Sequence, residues 1–187
     1  GGLQAWNVFT PWGALGFVLF LTAAAAEANR SPFDLPEAES EIIAGYFTEY
    51  SGFKFALFFL GEYLGLFAVC GLGITLFLGG WLPPVSWLGW IPSWAWFFGK
   101  LMTLIFLFIW LRGTLPRLRM DQLMRFAWQF LLPLTLVNLV VAALWHFTGA
   151  WNPLLRWALG GGLVAVAYLT FSRPFARAFP RRTYRFA

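Results

Sequence analysis

The 187-residue chain is 60% apolar and only 11% charged, where an ordinary soluble domain is about 25% charged. Neither Gly1–Ala26 nor Tyr63–Gly99 holds a charged side chain. Runs of that length exclude a soluble domain and a disordered chain and point to membrane spans. One Cys and one His exclude a disulfide scaffold, a zinc ribbon and any metal site built from this chain's soft ligands alone.

Five apolar segments follow in chain order, at about 12–28, 53–80, 94–111, 126–147 and 154–171. Roughly 20 residues at ~1.5 Å rise cross a ~30 Å hydrocarbon core. The second segment exceeds that length and must tilt, kink or protrude. The last is the weakest, because Arg156 interrupts its start. No segment alternates with the short period of barrel strands, so the expected fold is all-α: a single membrane domain over 1–187, a bundle of about five transmembrane helices. Twelve Trp and five Tyr suit interfacial aromatic belts. The chain begins Gly1-Gly2 without an initiator Met, and is read as the C-terminal portion of something longer.

Lys and Arg set the expected orientation. Arg30 and Lys54 lie in or beside the connection 29–52, Arg112, Arg117, Arg119 and Arg125 in or beside 112–125, and Arg173, Arg177, Arg181, Arg182 and Arg185 in the tail 172–187. The other two connections hold neither residue. The basic segments therefore fall on one side of five helices, the cytoplasmic side. Seven of the eight acids lie between Glu27 and Glu62. This acidic first loop should attract the basic loop at 112–125.

The first loop reads Glu27-Ala28-Asn29-Arg30-Ser31-Pro32-Phe33-Asp34-Leu35-Pro36-Glu37-Ala38-Glu39-Ser40-Glu41. Asp34, followed by Pro36 and Glu37, has the pattern of a helix N-cap opening a short helix to about Tyr46. Glu37 and Glu41 share a face of that helix, which disfavours ionising both. The pair is either a solvated acidic face or part of a proton-handling cluster.

Within the spans, Glu62 lies roughly 12 Å along its helix from Lys54, and Lys100 roughly 18 Å from Arg112, at ~1.5 Å per residue. Ionisable groups at such depth are functional candidates by default. They form either a structural Glu62–Lys100 ion pair or a hydrated proton path. Phe55, Phe58 and Phe59 precede Glu62 and present either an apolar wall to an isoprenoid tail or a surface to lipid. Gly61-x-x-x-Gly65 has the spacing of close helix packing. Pro133 should kink the fourth helix near Gln129, as a bend rather than a hinge. His146 and Cys70 read as structural. No phosphate loop, nucleophile elbow or dinucleotide fingerprint is present, so nothing in the chain's motifs binds NADH, flavin or nucleic acid.

The run EANRSPFDLPEAESEIIAGYFTEYSGFKFALFFLGEY strongly resembles the quinone-site membrane subunit of proton-translocating NADH:quinone oxidoreductase, respiratory complex I (the bacterial H subunit, mitochondrial NADH dehydrogenase subunit 1). The stretches Lys100 to Arg112, Pro116 to Met124 and Leu131-Leu132-Pro133-Leu134-Thr135 resemble it too. Met120 departs from a frequent Tyr, and the fifth helix lies beyond the end of many relatives. The resemblance implies a subunit without a redox centre of its own. FMN and iron–sulfur clusters would sit in partner subunits, quinone would be the substrate, and antiporter-like membrane subunits would be neighbours in a bacterial inner membrane. It places Glu27, Glu37, Glu39 and Glu62 on a buried acidic path, with Arg30 and Asp34 at the quinone-cavity loop; Glu41 and Glu49 match acidic positions of the family. The nearest alternative is the related coupling subunit of a membrane-bound hydrogenase. A secondary ion transporter would need inverted repeats and broken helices, and no matching pair is seen. A plain anchor leaves Glu62 and Lys100 unexplained.

Overall fold

The computed structural model of the protein describes residues 6–28, 32–33, 49–116 and 118–177. Among them all regular structure is helical, with no strand. The helices are α1 (Pro11–Glu27), α2 (Phe53–Phe77), α3 (Ser93–Thr114), α4 (Met120–Arg125), α5 (Leu132–Phe147) and α6 (Pro153–Arg177). A π-helical stretch, Phe126–Leu131, joins α4 to α5 without a break. Four helical segments are long and apolar enough to cross a membrane: α2, α3, the continuous Met120–Phe147 and α6. At 17 residues, α1 is the shorter apolar helix; at ~1.5 Å per residue it spans roughly 25 Å, just under a hydrocarbon core. The chain is an all-α membrane protein whose apolar surface faces outward. Phe53 is 79% exposed, Trp90 80% and Phe147 83%, a surface that lipid solvates and water does not.

Several helices outrun their apolar stretches. α3 continues through Arg112, and α4 is already helical from Met120. Charged residues end a hydrophobic run without ending a helix. Asp121, in the first turn of the continuous helix that α4 opens, complements its dipole.

The chain forms two compact units, Gly1–Met120 and Asp121–Ala187. In the first, Thr10 caps α1: its hydroxyl accepts the Gly13 N–H at 3.1 Å and donates to the Asn7 carbonyl at 2.7 Å, and Pro11 takes the first helical position. Leu66, Cys70, Gly73 and Ile74 form the buried face of α2, at i, i+4, i+7 and i+8. A Cβ on Gly73 would lie 2.9 Å from the Phe20 ring, so α1 approaches closely there, with Phe17 and Phe20 packed on Phe77 at 5.6 and 5.7 Å. Against α2, α3 buries Leu101, Leu104 and Phe108, and Phe97 stacks on Trp81 at 4.4 Å.

The far end of α2 is built around one cation. Gly79 and Gly80 have φ of 67° and 56°, the left-handed conformation that lets a helix turn out of itself. The Gly80 N–H returns to the Ile74 carbonyl at 2.9 Å. The turn aims three carbonyls at one point, where Lys100 Nζ donates to Leu78, Gly80 and Leu82 at 2.7, 2.9 and 2.9 Å. The ammonium also lies 4.3 Å from the centroid of the Trp6 ring. Asn7 Nδ2 donates to the Leu76 carbonyl at 2.7 Å. A cation here meets the negative end of the α2 dipole.

In the second unit, Pro133 lacks the N–H that would bond Gln129, and the backbone absorbs the loss as the π stretch, with the Leu132 N–H reaching the Ala127 carbonyl. The π stretch spans Gln129. α5 and α6 then pack as a hairpin. Leu134 and Val141 are buried on α5, and Ala167 on α6. Phe130 meets Tyr168 edge-on at 6.1 Å, and Trp145 meets Trp157 likewise at 5.7 Å.

Replacing Lys100 by Met keeps its length and removes the charge. Hydrogen bonds to a charged donor are worth about 1.5–3 kcal/mol each in gross terms. The expected net loss is about 2–4 kcal/mol of stability, read as a lower apparent melting midpoint of the full-length protein in detergent. An unchanged midpoint would mean the three carbonyls find other donors.

Candidate functional site

The site lies in the first unit, where the end of α1 meets the first half of α2. A cavity of about 270 Å³ is lined by Glu27, Ala28, Phe58, Gly61, Glu62, Gly65 and Val69. Two carboxylates therefore share one cavity in a chain with eight acids in all. At about 30 Å³ per water the space admits several, and the two carboxylates supply polar partners for them.

Each lining residue has a structural reason to be there. Ala24, Ala25 and Ala28 are buried, small enough to bring the last turns of α1 close to its neighbours. Glu27 is the final residue of α1. Its side chain is exposed at the negative end of its own helix dipole. Glu62 sits two turns into α2, half-buried. Gly61 and Gly65 flank it, and a Cβ at either would meet nothing within 4 Å among the described residues. Both glycines line the cavity, and Gly73, two turns further on, makes the close approach to α1.

The structure brings three of the expected site residues together: Glu27, Glu62 and Phe58. Phe55 and Phe59 lie outside that lining and pack on each other at 4.7 Å between centroids. Phe58 is backed by Tyr50 at 4.9 Å, a neighbour that no motif in the sequence singles out. Glu49, before α2, is exposed. Lys100 is not brought to Glu62. It is bound at the end of α2, 16 residues beyond Glu62 and so about 24 Å along the helix. The alternative of a Glu62–Lys100 ion pair is therefore excluded. Depths counted from the charged ends of the two apolar stretches mislead here, because these two ends do not mark a common level. Arg30, Asp34, Glu37, Glu39 and Glu41, and the short helix expected after Asp34, lie outside the described residues. Pro32 and Phe33 do belong to them: Phe33 is buried, and the Pro32 carbonyl accepts the Leu118 N–H at 3.0 Å. The first loop and the loop after α3 meet there through backbone.

The fold and site define a polytopic helical membrane protein with a carboxylate-lined cavity between two of its helices. The family model described as NADH dehydrogenase matches residues 2–143, and the chain belongs to that family. It is 55% identical over 147 residues to the H subunit of NADH-quinone oxidoreductase from Geobacillus kaustophilus, covering 77% of this chain and 43% of that one. With the H subunit from Bacillus cytotoxicus it is 53% identical over 141 residues, 75% and 41% of the two chains. With the H subunit numbered 2 from Koribacter versatilis the identity is 49% over 151 residues, 77% and 42%. The chain spans less than half the length of these curated relatives. The family match ends inside α5 and leaves α6 outside it.

The two glycine environments make opposite predictions. Gly65→Ala should stabilise the protein by up to about 1 kcal/mol through helix propensity, because the added methyl enters open space. Gly73→Ala should destabilise it by about 1–3 kcal/mol, because the methyl meets Phe20. Thermal midpoints of the two variants in detergent check both. Equal shifts of the same sign would mean that Gly65 faces a packed neighbour.

Proposed function

We propose that this chain is part of a membrane subunit of NADH:quinone oxidoreductase that walls the quinone cavity and couples quinone reduction to proton translocation through a buried acidic path. The observation that carries the reading is the shared cavity of Glu27 and Glu62, with Phe58 on its wall. In this mechanism no electron passes through the chain; FMN and iron–sulfur clusters belong to partner subunits.

Quinone reduction takes up two electrons and two protons, and changes charge beside the loop that carries Arg30 and Asp34. A carboxylate in a sparsely hydrated cavity responds to such a change by gaining or losing a proton, since solvation and neighbouring charge set its proton affinity. Glu37, Glu39 and Glu41 extend the path along the loop. Glu27 receives it at the end of α1, and Glu62 carries it into the depth of α2. Two carboxylates lining one cavity give a proton successive holders, which supports stepwise transfer. Phe58 contributes apolar wall for an isoprenoid tail, with the Phe55–Phe59 pair further around α2. Lys100 holds a fixed positive charge at the far end of α2, and in this reading acts on the path as a field from a distance. The subunit sits in a bacterial inner membrane, its basic loops and tail toward the cytoplasm, against the peripheral quinone-site and antiporter-like subunits. The names of its relatives favour this over the hydrogenase alternative.

Glu62→Gln keeps shape and hydrogen bonding but cannot titrate. In the assembled complex it is expected to lower quinone-reductase turnover and proton pumping by about tenfold or more, equivalent to at least ~1.4 kcal/mol on the barrier, with assembly intact. Glu62→Asp should fall between. Both activities are measured in sealed vesicles, and wild-type pumping by Glu62→Gln would remove Glu62 from the path.

A further inference from the structure

We infer that α5 and α6 form a binding site for the phosphate group of an anionic phospholipid, with Arg156 as its cation and an apolar groove for one acyl chain. The groove has a volume of about 220 Å³, and Val141, Leu144, Trp145, Leu159 and Leu163 supply most of its wall. It lies in the second unit, beyond the acidic cavity and mostly beyond the family match. Its polarity is graded. Thr148, Trp151 and Arg156 line it near the turn between the helices, while Val141, Gly160 and Leu163 line it deeper along α5 and α6. A headgroup at the turn and a chain running inward would match that order.

Arg156 is held for this task and left with spare donors. Its Nη2 donates to the Trp145 carbonyl at 2.9 Å, and the guanidinium lies 4.3 Å from the Trp145 ring centroid, which fixes the plane of the fork. Its Nε is buried and has no hydrogen-bond partner. A buried donor on a charged group without an acceptor is costly. The only acid in the unit's sequence is Asp121, which lies at the opposite end of the α4–α5 helix, 25 residues before His146 and so roughly 37 Å away along the axis. No acidic side chain of this unit can neutralise Arg156. A phosphate beside the exposed side of the guanidinium would add a charge-assisted bond and supply the counter-charge. The lipid is favoured over free phosphate because the rest of the groove is apolar.

The test uses the full-length protein purified from its own membrane, delipidated, and measured by native mass spectrometry with added phosphatidylglycerol, phosphatidylcholine or inorganic phosphate. Wild type should prefer phosphatidylglycerol over phosphatidylcholine. Arg156→Gln should reduce that preference by about tenfold, the effect of one lost charge-assisted contact. Leu159→Glu leaves the arginine in place and adds a carboxylate three residues along the same helix; it should abolish the preference, and it serves where Arg156→Gln fails to fold. An unchanged preference in both variants would overturn the site. So would inorganic phosphate that competes as well as the lipid, since the groove would then contribute nothing.

Discussion

Lys100 is the group on which the first unit's geometry rests. One ammonium gathers the carbonyls of Leu78, Gly80 and Leu82, groups that an apolar environment would otherwise leave without donors. Because Lys100 belongs to α3, the same bonds tie the end of α2 to α3. Because Trp6 lies over the ammonium and Asn7 donates to Leu76, the segment leading into α1 is held at the same place. Three helices are thus referenced to one charge at one end. At the other end they are free to differ in what they approach, and there the carboxylate cavity opens.

This arrangement separates two charges that sequence places at similar depth. A Lys committed to three carbonyls cannot also be the counter-ion of a carboxylate about 24 Å along the helix. Glu62 shares its surroundings with Glu27 instead. Gly61 and Gly65 line the same cavity, and a Cβ at either would meet nothing within 4 Å among the described residues.

The helices were legible because membrane spans declare themselves by length and apolarity; the π stretch was not, although Pro133 removes the hydrogen bond it replaces. Helix ends were less legible: Arg112 and Arg125 bound apolar runs while the backbone stays helical. Glu27, Glu62 and Phe58 were identifiable as candidates through their types and the family motif, but their common cavity was not, since it depends on how α1 ends against α2. The role of Lys100 escaped the sequence because its partners are backbone carbonyls, which no side chain announces. Gly79-Gly80 was the available signal, two residues able to take positive φ just after a long helix. Spacing alone could not tell Gly61 and Gly65 from Gly73, because it says which face a glycine occupies and not what that face meets.

On the proposed mechanism, a carboxylate in the α1–α2 cavity changes protonation when quinone is reduced. Redox-induced infrared difference spectroscopy of the assembled complex follows the stretch of protonated carboxyl groups in wild type and in Glu62→Gln. The expected result is a carboxyl band that appears or shifts with quinone reduction in wild type, moves in heavy water, and is lost or displaced in the variant. An identical difference spectrum in the two proteins would remove Glu62 from the mechanism.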